Sequence, residues 1–211
     1  MTLMLSPEAV AAHKDLKIVY TPIHGSGVEI VPEFLAKLGF ENVYHVPEQD
    51  VIDGNFPTVK SPNPEEPGAL AMALAVADKE GADLVMATDP DADRIGIAVR
   101  DNEGKMVLLN GNQTGSILTY YILRRWSELG KLDGKQFIVK TIVTTELMRA
   151  IAEKYGVKVY NVLTGFKWIA DIIKKNEGIA TFVCGGEESY GFNVGDFVRD
   201  KDAPITCAFV A

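Results

Sequence analysis

The sequence predicts an α/β protein made of two consecutive small domains, each with a mixed sheet flanked by helices. Three observations predict this fold class. Strand-like and helix-like segments alternate along the first half of the chain, as is typical of α/β sheets. The same order begins again near residue 110. In each half, the third predicted strand runs directly into the most polar loop of that half.

The first half contains six predicted helices and strands before its polar loop and a hairpin after it. The predicted elements are a helix at 7–14, a strand at 17–20, a loop at 21–27, a helix at 28–38, a strand at 42–46, a helix at 68–79, a strand at 84–87, a strand at 95–99, a turn at 100–105 and a strand at 106–109. Gly39 is the stop signal of the second helix. Residues 47–67 are rich in Pro, Asn and Asp and predict a loop whose length indicates a function or an interface.

The second half repeats the order of elements without a clear repeat of sequence. The predicted elements are a helix at 114–129, a strand at 137–139, a helix at 146–154, a strand at 157–162, a helix at 166–175 and a strand at 179–184. We therefore predict domains at 1–109 and 110–211. Residues 203–211 are mostly apolar and carry no stop signal, which predicts a second domain truncated at its C-terminus.

Composition excludes some classes of function. The chain has 211 residues, of which 47% are hydrophobic and 24% charged, as in ordinary globular proteins. Its net charge of −8 argues against nucleic-acid binding, and an anionic ligand would need local positive groups. Cys184 and Cys207 are expected to be buried free thiols. No apolar run has transmembrane length and no signal-peptide pattern is present, so no membrane partner and a cytoplasmic location are expected.

The motif with the clearest chemistry lies between two predicted strands, at Asp89-Pro90-Asp91-Ala92-Asp93-Arg94. Asp is a poor strand former and Pro90 cannot donate to a β-ladder, so the motif is predicted to be a loop. Crowded carboxylates repel one another unless a cation lies among them, and oxygen ligands of this kind suit Mg²⁺. Arg94 adds a planar cation suited to a phosphate oxygen. This Asp loop (residues 89–94) predicts Mg²⁺-assisted phosphate chemistry, although acidic surface loops without a metal are common.

A second polar loop, residues 185–191, follows the last predicted strand and has the sequence Gly-Gly-Glu-Glu-Ser-Tyr-Gly. Glycines let the backbone approach a ligand, and carboxylates and hydroxyls suit sugar hydroxyls, but alone the pattern also fits a polar turn. Together with the Asp loop, this GEES loop resembles the α-D-phosphohexomutase family, which contains phosphoglucomutases and phosphomannomutases. Matching segments at 21–27, 111–115, 164–169 and 199–202 follow in family order.

The resemblance implies that the chain corresponds to domains two and three of a four-domain enzyme. It implies that Asp89, Asp91 and Asp93 bind Mg²⁺, which also contacts a phosphoserine in domain one. Arg94 matches the loop arginine that helps to stabilise the transferring phosphoryl group.

The resemblance also assigns residues in the second half. Glu187 and Ser189 of the GEES loop are expected to bind the sugar hydroxyls, and Thr164 and Gly165 match a turn that contacts the substrate. Lys201 matches a lysine that is a candidate for proton transfer, although the glycine usual two positions later is replaced here.

The reaction implied by the resemblance is the interconversion of a hexose 1-phosphate and 6-phosphate through a phosphoserine and a bisphosphate intermediate. The implied partners are glucose 1-phosphate, glucose 6-phosphate and glucose 1,6-bisphosphate, together with domains one and four of the same polypeptide. No segment of this chain resembles the phosphoserine loop or the fourth domain. We therefore expect the chain alone to be inactive and to bind Mg²⁺ weakly.

Other functions remain open at this point. Glucose phosphate is the first choice of substrate, and mannose phosphate or a pentose phosphate is the alternative. A phosphatase of the haloacid-dehalogenase type also places Asp-x-Asp after a strand, but it would leave the GEES loop unexplained. A non-catalytic module that binds Mg²⁺ or a sugar phosphate is the third alternative.

Overall fold

The computed structural model describes residues 5–211, which form two compact units. The first unit contains residues 6–110 and 203–211, and the second contains Leu5 and residues 111–202. The elements of the first unit are α1 (Pro7–Ala12), β1 (Lys17–Thr21), α2 (Gly27–Leu38), β2 (Asn42–His45), α3 (Pro67–Glu80), β3 (Leu84–Thr88), β4 (Ile95–Arg100), β5 (Met106–Leu109) and, from the end of the chain, α7 (Ala203–Val210). The elements of the second unit are α4 (Gly111–Glu128), β6 (Gln136–Thr141), α5 (Glu146–Lys154), β7 (Lys158–Val162), α6 (Phe166–Lys175), β8 (Thr181–Gly186) and β9 (Phe192–Val194).

The first unit is built around a five-stranded sheet with the order β2-β1-β3-β4-β5. Strands β2, β1 and β3 run parallel, and β4 and β5 return antiparallel. Side chains alternate across β1, because successive residues of a strand point to opposite faces. Ile18 and Tyr20 pack in a cluster with Val31 and Leu35 of α2, whereas Val19 packs in another with the alanine-rich helix α3.

Helix α7 completes the first of these clusters. Ala203 and Cys207 are buried in the same cluster as Tyr20 and Leu35, and α7 packs against α2 and β4. The apolar run at 203–211 is therefore a buried helix in the first unit, although it follows the second unit in the sequence.

The second unit has a four-stranded sheet with the order β7-β6-β8-β9. Strands β7, β6 and β8 are parallel, and the short β9 is antiparallel to β8. Phe137 and Phe182 of neighbouring strands pack with Phe166 and Ile169 of α6. The parallel strands bring the loops that follow β6, β7 and β8 to one edge of this sheet.

The predicted fold class is confirmed, because both units are mixed sheets flanked by helices. Helices α2 and α3 end before Gly39 and Gly81, which adopt the left-handed conformation that glycine tolerates. The predicted hairpin at 100–105 forms between β4 and β5. Strand β9 and helix α7 were not predicted. Within residues 5–211, none of the helices has both the length and the apolar character needed to cross a membrane.

Candidate functional site

The predicted site residues fall into two groups, one in each unit. In the first unit, β1 and β3 are adjacent parallel strands, so the loops after Thr21 and Thr88 leave the same edge of the sheet. The Asp loop follows β3, and residues 22–26 follow β1. This is the edge at which open α/β sheets place their ligands.

The three carboxylates of the Asp loop converge. One oxygen from each of Asp89, Asp91 and Asp93 lies within 4.8 Å of the other two. Asp89 is buried, Asp93 is half-buried and Asp91 is exposed. The backbone N–H groups of Asp93 and Arg94 donate to Asp89 Oδ1 at 3.0 and 2.9 Å. These bonds close the loop around one Asp89 oxygen and hold the carboxylates together.

Burial raises the free-energy cost of ionising the carboxylates of this cluster. Desolvation raises the pKa of Asp89 to about 7, and the nearby charges of Asp93 and Asp91 also raise it. The hydrogen bonds from the backbone of Arg94 and Asp93 lower the pKa and offset part of this increase. A cation among the carboxylates would remove this repulsion. The donor set is all carboxylate oxygen, which is the ligand type that Mg²⁺ prefers, so the residues present fit that ion.

Arg94 lies beside the carboxylates without bonding closely to them. Its Nε is 3.8 Å from Asp89 Oδ2 and 3.7 Å from Asp93 Oδ1, and Nη1 is 3.8 Å from Glu65 Oε1. Within residues 5–211 the buried Nε has no hydrogen-bond partner. The side chain lines a groove with Asn63 and Pro62. Guanidinium donors are thus available for an anionic group next to the candidate metal site.

The loop after β1 supports the Asp loop by direct packing. The backbone N–H and Oγ of Ser26 both donate to Pro90 O, at 2.8 and 3.0 Å. Gly25 lies so close to Pro90 that a Cβ there would overlap its backbone. Ala92 completes the turn with a φ of 57°, in the left-handed region. The conformation of the Asp loop therefore depends on its neighbour.

His24 has a structural position rather than an open one. It is buried, and its ring nitrogens are 2.8 Å from Val51 O and 2.8 Å from Thr58 Oγ1. Gln49, fully buried, accepts from Thr21 Oγ1 at 2.7 Å and donates to Thr58 Oγ1 at 3.2 Å. These contacts fix the segment 47–67, which the sequence predicted as one long loop.

In the second unit, the structure brings Glu187 to the turn at Thr164 and Gly165. Glu187 Oε1 accepts from the Gly165 N–H at 2.8 Å, and the Glu187 N–H donates to Gly191 O at 2.9 Å. Gly165 has a φ of 116°, a conformation that only glycine adopts readily. Thr164 is exposed and Ser189 is half-buried. Among the hydrogen bonds within residues 5–211, the side chain of Glu187 uses Oε1 and not Oε2.

Lys201 lies against the GEES loop. Its aliphatic stem packs on Gly191, where a Cβ would overlap it, and its Nζ is 5.4 Å from the centre of the Phe166 ring. Nζ is also 3.4 Å from Asp200 Oδ1. The side chain is only 16% exposed. The structure thus brings Lys201 next to the residues predicted for sugar binding.

The sequence reasoning missed a polar network under the GEES loop. Glu188 Oε2 lies 2.9 Å from Thr144 Oγ1 and 3.2 Å from Thr141 Oγ1. Lys140, fully buried at the end of β6, donates to the carbonyls of Thr141 and Thr144 at 3.2 and 2.9 Å and pairs with Glu146 at 2.7 Å. A lysine inside an apolar strand run was the one sequence signal that could have indicated it.

Two family models match the chain, and together they span almost all of it. The model for phosphoglucomutase/phosphomannomutase, alpha/beta/alpha domain II, matches residues 5–104, and the model for domain III matches residues 110–211. The chain belongs to the phosphoglucomutase/phosphomannomutase family.

Curated relatives in this family are longer than the chain. It is 42% identical over 189 residues to the phosphoglucomutase of Staphylococcus haemolyticus strain JCSC1435, covering 90% of this chain and 34% of that protein. It is 43% identical over the same length to the phosphoglucomutase of Staphylococcus aureus strain N315, with the same coverage. The chain therefore spans about a third of the length of these phosphoglucomutase/phosphomannomutase family members.

Solved structures of the family share the fold. A phosphoglucomutase/phosphomannomutase family protein from Burkholderia thailandensis matches with a TM-score of 0.72 at 18% identity, covering 97% of this chain and 42% of that one. N-acetylphosphoglucosamine mutase from Aspergillus fumigatus, in complex with GlcNAc-6P and magnesium, matches with a TM-score of 0.61 at 15% identity, covering 98% of this chain and 49% of that one. At these identities the likeness extends to the fold alone.

Proposed function

We propose that this chain provides the metal-binding and sugar-binding parts of a sugar-phosphate mutase that interconverts hexose 1-phosphate and 6-phosphate. The observation that carries the proposal is the convergence of Asp89, Asp91 and Asp93 beside the Arg94 guanidinium, whose Nε makes no hydrogen bond within residues 5–211. Membership of the phosphoglucomutase/phosphomannomutase family supports it. The enzyme would be an isomerase of carbohydrate metabolism, and its activity belongs to the longer polypeptide.

The Asp loop is the proposed Mg²⁺ site. Asp89, Asp91 and Asp93 would hold the ion, which when bound supplies positive charge to neutralise phosphoryl oxygens. The fit of the donor set supports this assignment, and so does the magnesium in the complex of the Aspergillus relative. Asp89 Oδ1 accepts two backbone N–H bonds, so Oδ2 would be the oxygen of this residue with no backbone bond to lose when an ion is held.

Arg94 is proposed to bind the transferring phosphoryl group. Phosphoryl transfer rests on positioning and on neutralising oxygen charge, and a planar guanidinium does both through paired N–H donors. The distances of 3.7 and 3.8 Å to the carboxylates leave those donors available. Arg94 and a bound ion would thus both neutralise charge on the phosphoryl group.

Glu187 and Ser189 are proposed to bind the sugar hydroxyls, with Thr164 and Gly165 forming the adjacent turn. Glu187 Oε1 accepts from the Gly165 N–H, and Oε2 is the oxygen proposed to accept from a sugar hydroxyl. Lys201, packed on the same loop, is proposed to transfer a proton at the reacting hydroxyl. Such general acid–base assistance contributes roughly 10²–10⁴-fold to the rate.

The substrate and the remaining parts of the mechanism are also proposals. Glucose phosphate is the preferred substrate because the matched curated relatives carry the name phosphoglucomutase. Mannose phosphate and pentose phosphates are the alternatives. The phosphoserine and the bisphosphate intermediate would involve domains one and four, the division at residue 110 would separate domains two and three, and the location would be cytoplasmic.

The deciding experiment is a mutase assay with glucose, mannose and ribose 1-phosphates and Mg²⁺. It is run on this chain and on a polypeptide that also carries the family's first and fourth domains. We expect turnover by the longer polypeptide, fastest with glucose 1-phosphate, and none by the 211-residue chain. Turnover by this chain alone would contradict the assigned roles, and Mg²⁺ or sugar-phosphate binding without turnover by either would favour a binding module.

A further inference from the structure

Two adjacent carboxylates of the GEES loop are bound to different neighbouring loops. Glu187 accepts from Gly165, in the loop after β7, whereas Glu188 accepts from Thr144, in the loop after β6. In the sheet, β6 lies between β7 and β8. The GEES loop is therefore fastened to both of the other strand ends at this edge.

The number of hydroxyl hydrogens limits which hydrogen bonds can form between Glu188 and the two threonines. Thr141 Oγ1 and Thr144 Oγ1 are 2.6 Å apart, and both approach Glu188 Oε2, at 3.2 and 2.9 Å. Each hydroxyl has one hydrogen, so two hydrogens serve three contacts. The shortest arrangement is a chain in which Thr141 donates to Thr144 and Thr144 donates to Glu188. Thr144 is thus the residue that connects the loop after β6 to the carboxylate.

The two hydroxyls lie in a buried region that contains the cationic side chain of Lys140. Thr141, Thr144 and Lys140 are all buried, and Lys140 Nζ holds the carbonyls of both threonines. On the other side, Gly111 lies so close to Glu188 O that a Cβ there would overlap it. Glu188 is consequently fixed through its side chain and its backbone, just ahead of Ser189.

We propose that Glu188, bound by Thr144, is a positioning residue for substrate: it keeps Glu187 and Ser189 in the geometry in which they bind the sugar of a hexose phosphate. Glu188 itself does not contact the sugar in this scheme. The inference rests on the proposed function of the GEES loop and adds the residues that set its conformation.

The test removes one hydroxyl and restores it. Thr144→Val removes the hydroxyl that donates to Glu188 at nearly constant side-chain shape, and Thr144→Ser restores that hydroxyl. Thr119→Val is the control, because it removes the hydroxyl of another buried threonine, on α4. Glu188→Ala is the second variant, and it should fold because the two threonines can still bond to each other. Amide hydrogen exchange of Gly165 and Glu187 reports the loop in the ligand-free chain, and NMR titration with glucose 1-phosphate and glucose 6-phosphate reports binding.

The expected result is a coupled change in both measurements. Thr144→Val and Glu188→Ala should speed exchange of the two amides about fivefold or more and weaken sugar-phosphate binding about five- to tenfold, which is the effect of one lost hydrogen bond. Thr144→Ser should restore both values, and Thr119→Val should change neither.

Two other results separate the inference from the function on which it rests. If the wild-type chain binds both phosphates and Thr144→Val and Glu188→Ala bind them equally well, the positioning role is wrong, even where Thr144→Val lowers stability. If the wild-type chain binds neither phosphate up to millimolar concentrations, the proposed sugar-binding function fails and the inference fails with it.

Discussion

At the scale of single residues, the two carboxylate oxygens of Asp89 have different surroundings. Oδ1 accepts two backbone N–H bonds and closes the loop, while Oδ2 faces the Arg94 guanidinium at 3.8 Å. Asp91 is different, because it is exposed and holds no such structural bond in the described part of the chain. A substitution at Asp91 should therefore separate ligand binding from folding more cleanly than one at Asp89.

Asp91→Asn should weaken Mg²⁺ binding about tenfold or more while leaving the free energy of unfolding nearly unchanged. It removes one of three converging candidate ligands, and even the loss of a residue that only supports a metal ligand typically costs 10- to 100-fold in affinity. Isothermal titration with Mg²⁺, or with Mn²⁺ as a tighter probe, measures this. Glu103→Gln, in the exposed turn between β4 and β5, is the matched control. Equal affinity in both variants would place the ion elsewhere.

Cys184 should make stability fall at high pH. Burial raises the pKa of its thiol to about 12, from an ordinary value near 9. Because the pKa is higher in the folded state, the contribution of the protonated thiol to the free energy of unfolding is complete below pH 9. It is lost as the pH rises from 9 toward 12. The free energy of unfolding should fall by about 1.4 kcal/mol per pH unit more in the wild type than in Cys184→Ala. Urea unfolding between pH 8 and pH 10.5 measures the difference, and parallel curves would contradict the assignment.

At the scale of elements, parallel strands bring loops from distant parts of the sequence to one edge. Residues 22–26 follow β1 and the Asp loop follows β3, and the two loops are then in contact through Gly25 and Pro90. The carboxylate cluster is consequently not part of an isolated acidic loop, since the loop backbone is supported by the residues that follow β1. The contact admits a glycine but not a side chain.

Gly25→Ala should destabilise the protein by about 1–3 kcal/mol, because the added methyl overlaps the Pro90 backbone and overpacking has costs of this size. It should also weaken Mg²⁺ binding, since the Asp loop must shift to accommodate the methyl. Urea unfolding and metal titration measure the two effects. Gly54→Ala is the control, because within residues 5–211 no atom beyond its two chain neighbours lies within 4 Å of the position of its added methyl. An unchanged affinity in Gly25→Ala would show that the loops are independent.

At the scale of the whole molecule, the first unit is built from two stretches of sequence that are separated by the second unit. The first unit contains both residues 6–110 and residues 203–211, and Cys207 of α7 is buried with Tyr20 of β1. Of the described residues, the second unit contains 111–202 and Leu5, whose carbonyl accepts from Arg125 Nη2 at 2.9 Å. The stability of one unit thus depends on residues at both ends of the chain.

Deletion of residues 203–211 should destabilise the first unit and spare the second. The deletion exposes the apolar surface that α7 covers, at a cost of about 3 kcal/mol or more. Amide exchange of Tyr20 should become faster, while that of Val139 in β6 serves as the internal control. Equal acceleration in both units would mean that they unfold together, and no change in either would mean that α7 contributes little.

Much of the fold could be predicted because strands and helices with one buried face have regular patterns. The alternation that leads to the Asp loop and to the GEES loop was confirmed in both units. Strand β9 was missed because it has three residues between glycine-rich segments. Helix α7 was missed because its residues are apolar on most sides, which removes the 3.6-residue pattern.

The candidate site was predictable only where its residues are close in sequence. Asp89, Asp91 and Asp93 lie within one loop, so their convergence follows from local spacing. The partners of Glu188 lie more than forty residues away, at 44 and 47 positions, and meet it only because β6 pairs with β8. Sheet order is a tertiary property, so spacing alone could not indicate Thr141 or Thr144. The functional roles of all these residues stay predictions.

The two-part composition of the first unit has a consequence for synthesis. A ribosome makes the chain from its N-terminus, at about 5–20 residues per second, and domains generally fold as they become complete. The β1–β5 sheet would emerge early but lack α7 until residues 203–210 have been made. The second unit begins later in the sequence, but its residues 111–202 would all be made before the first unit receives α7. During translation the apolar groove around Tyr20 and Leu35 would stay uncovered for roughly a hundred further residues, which is the interval in which a chaperone would have most to bind.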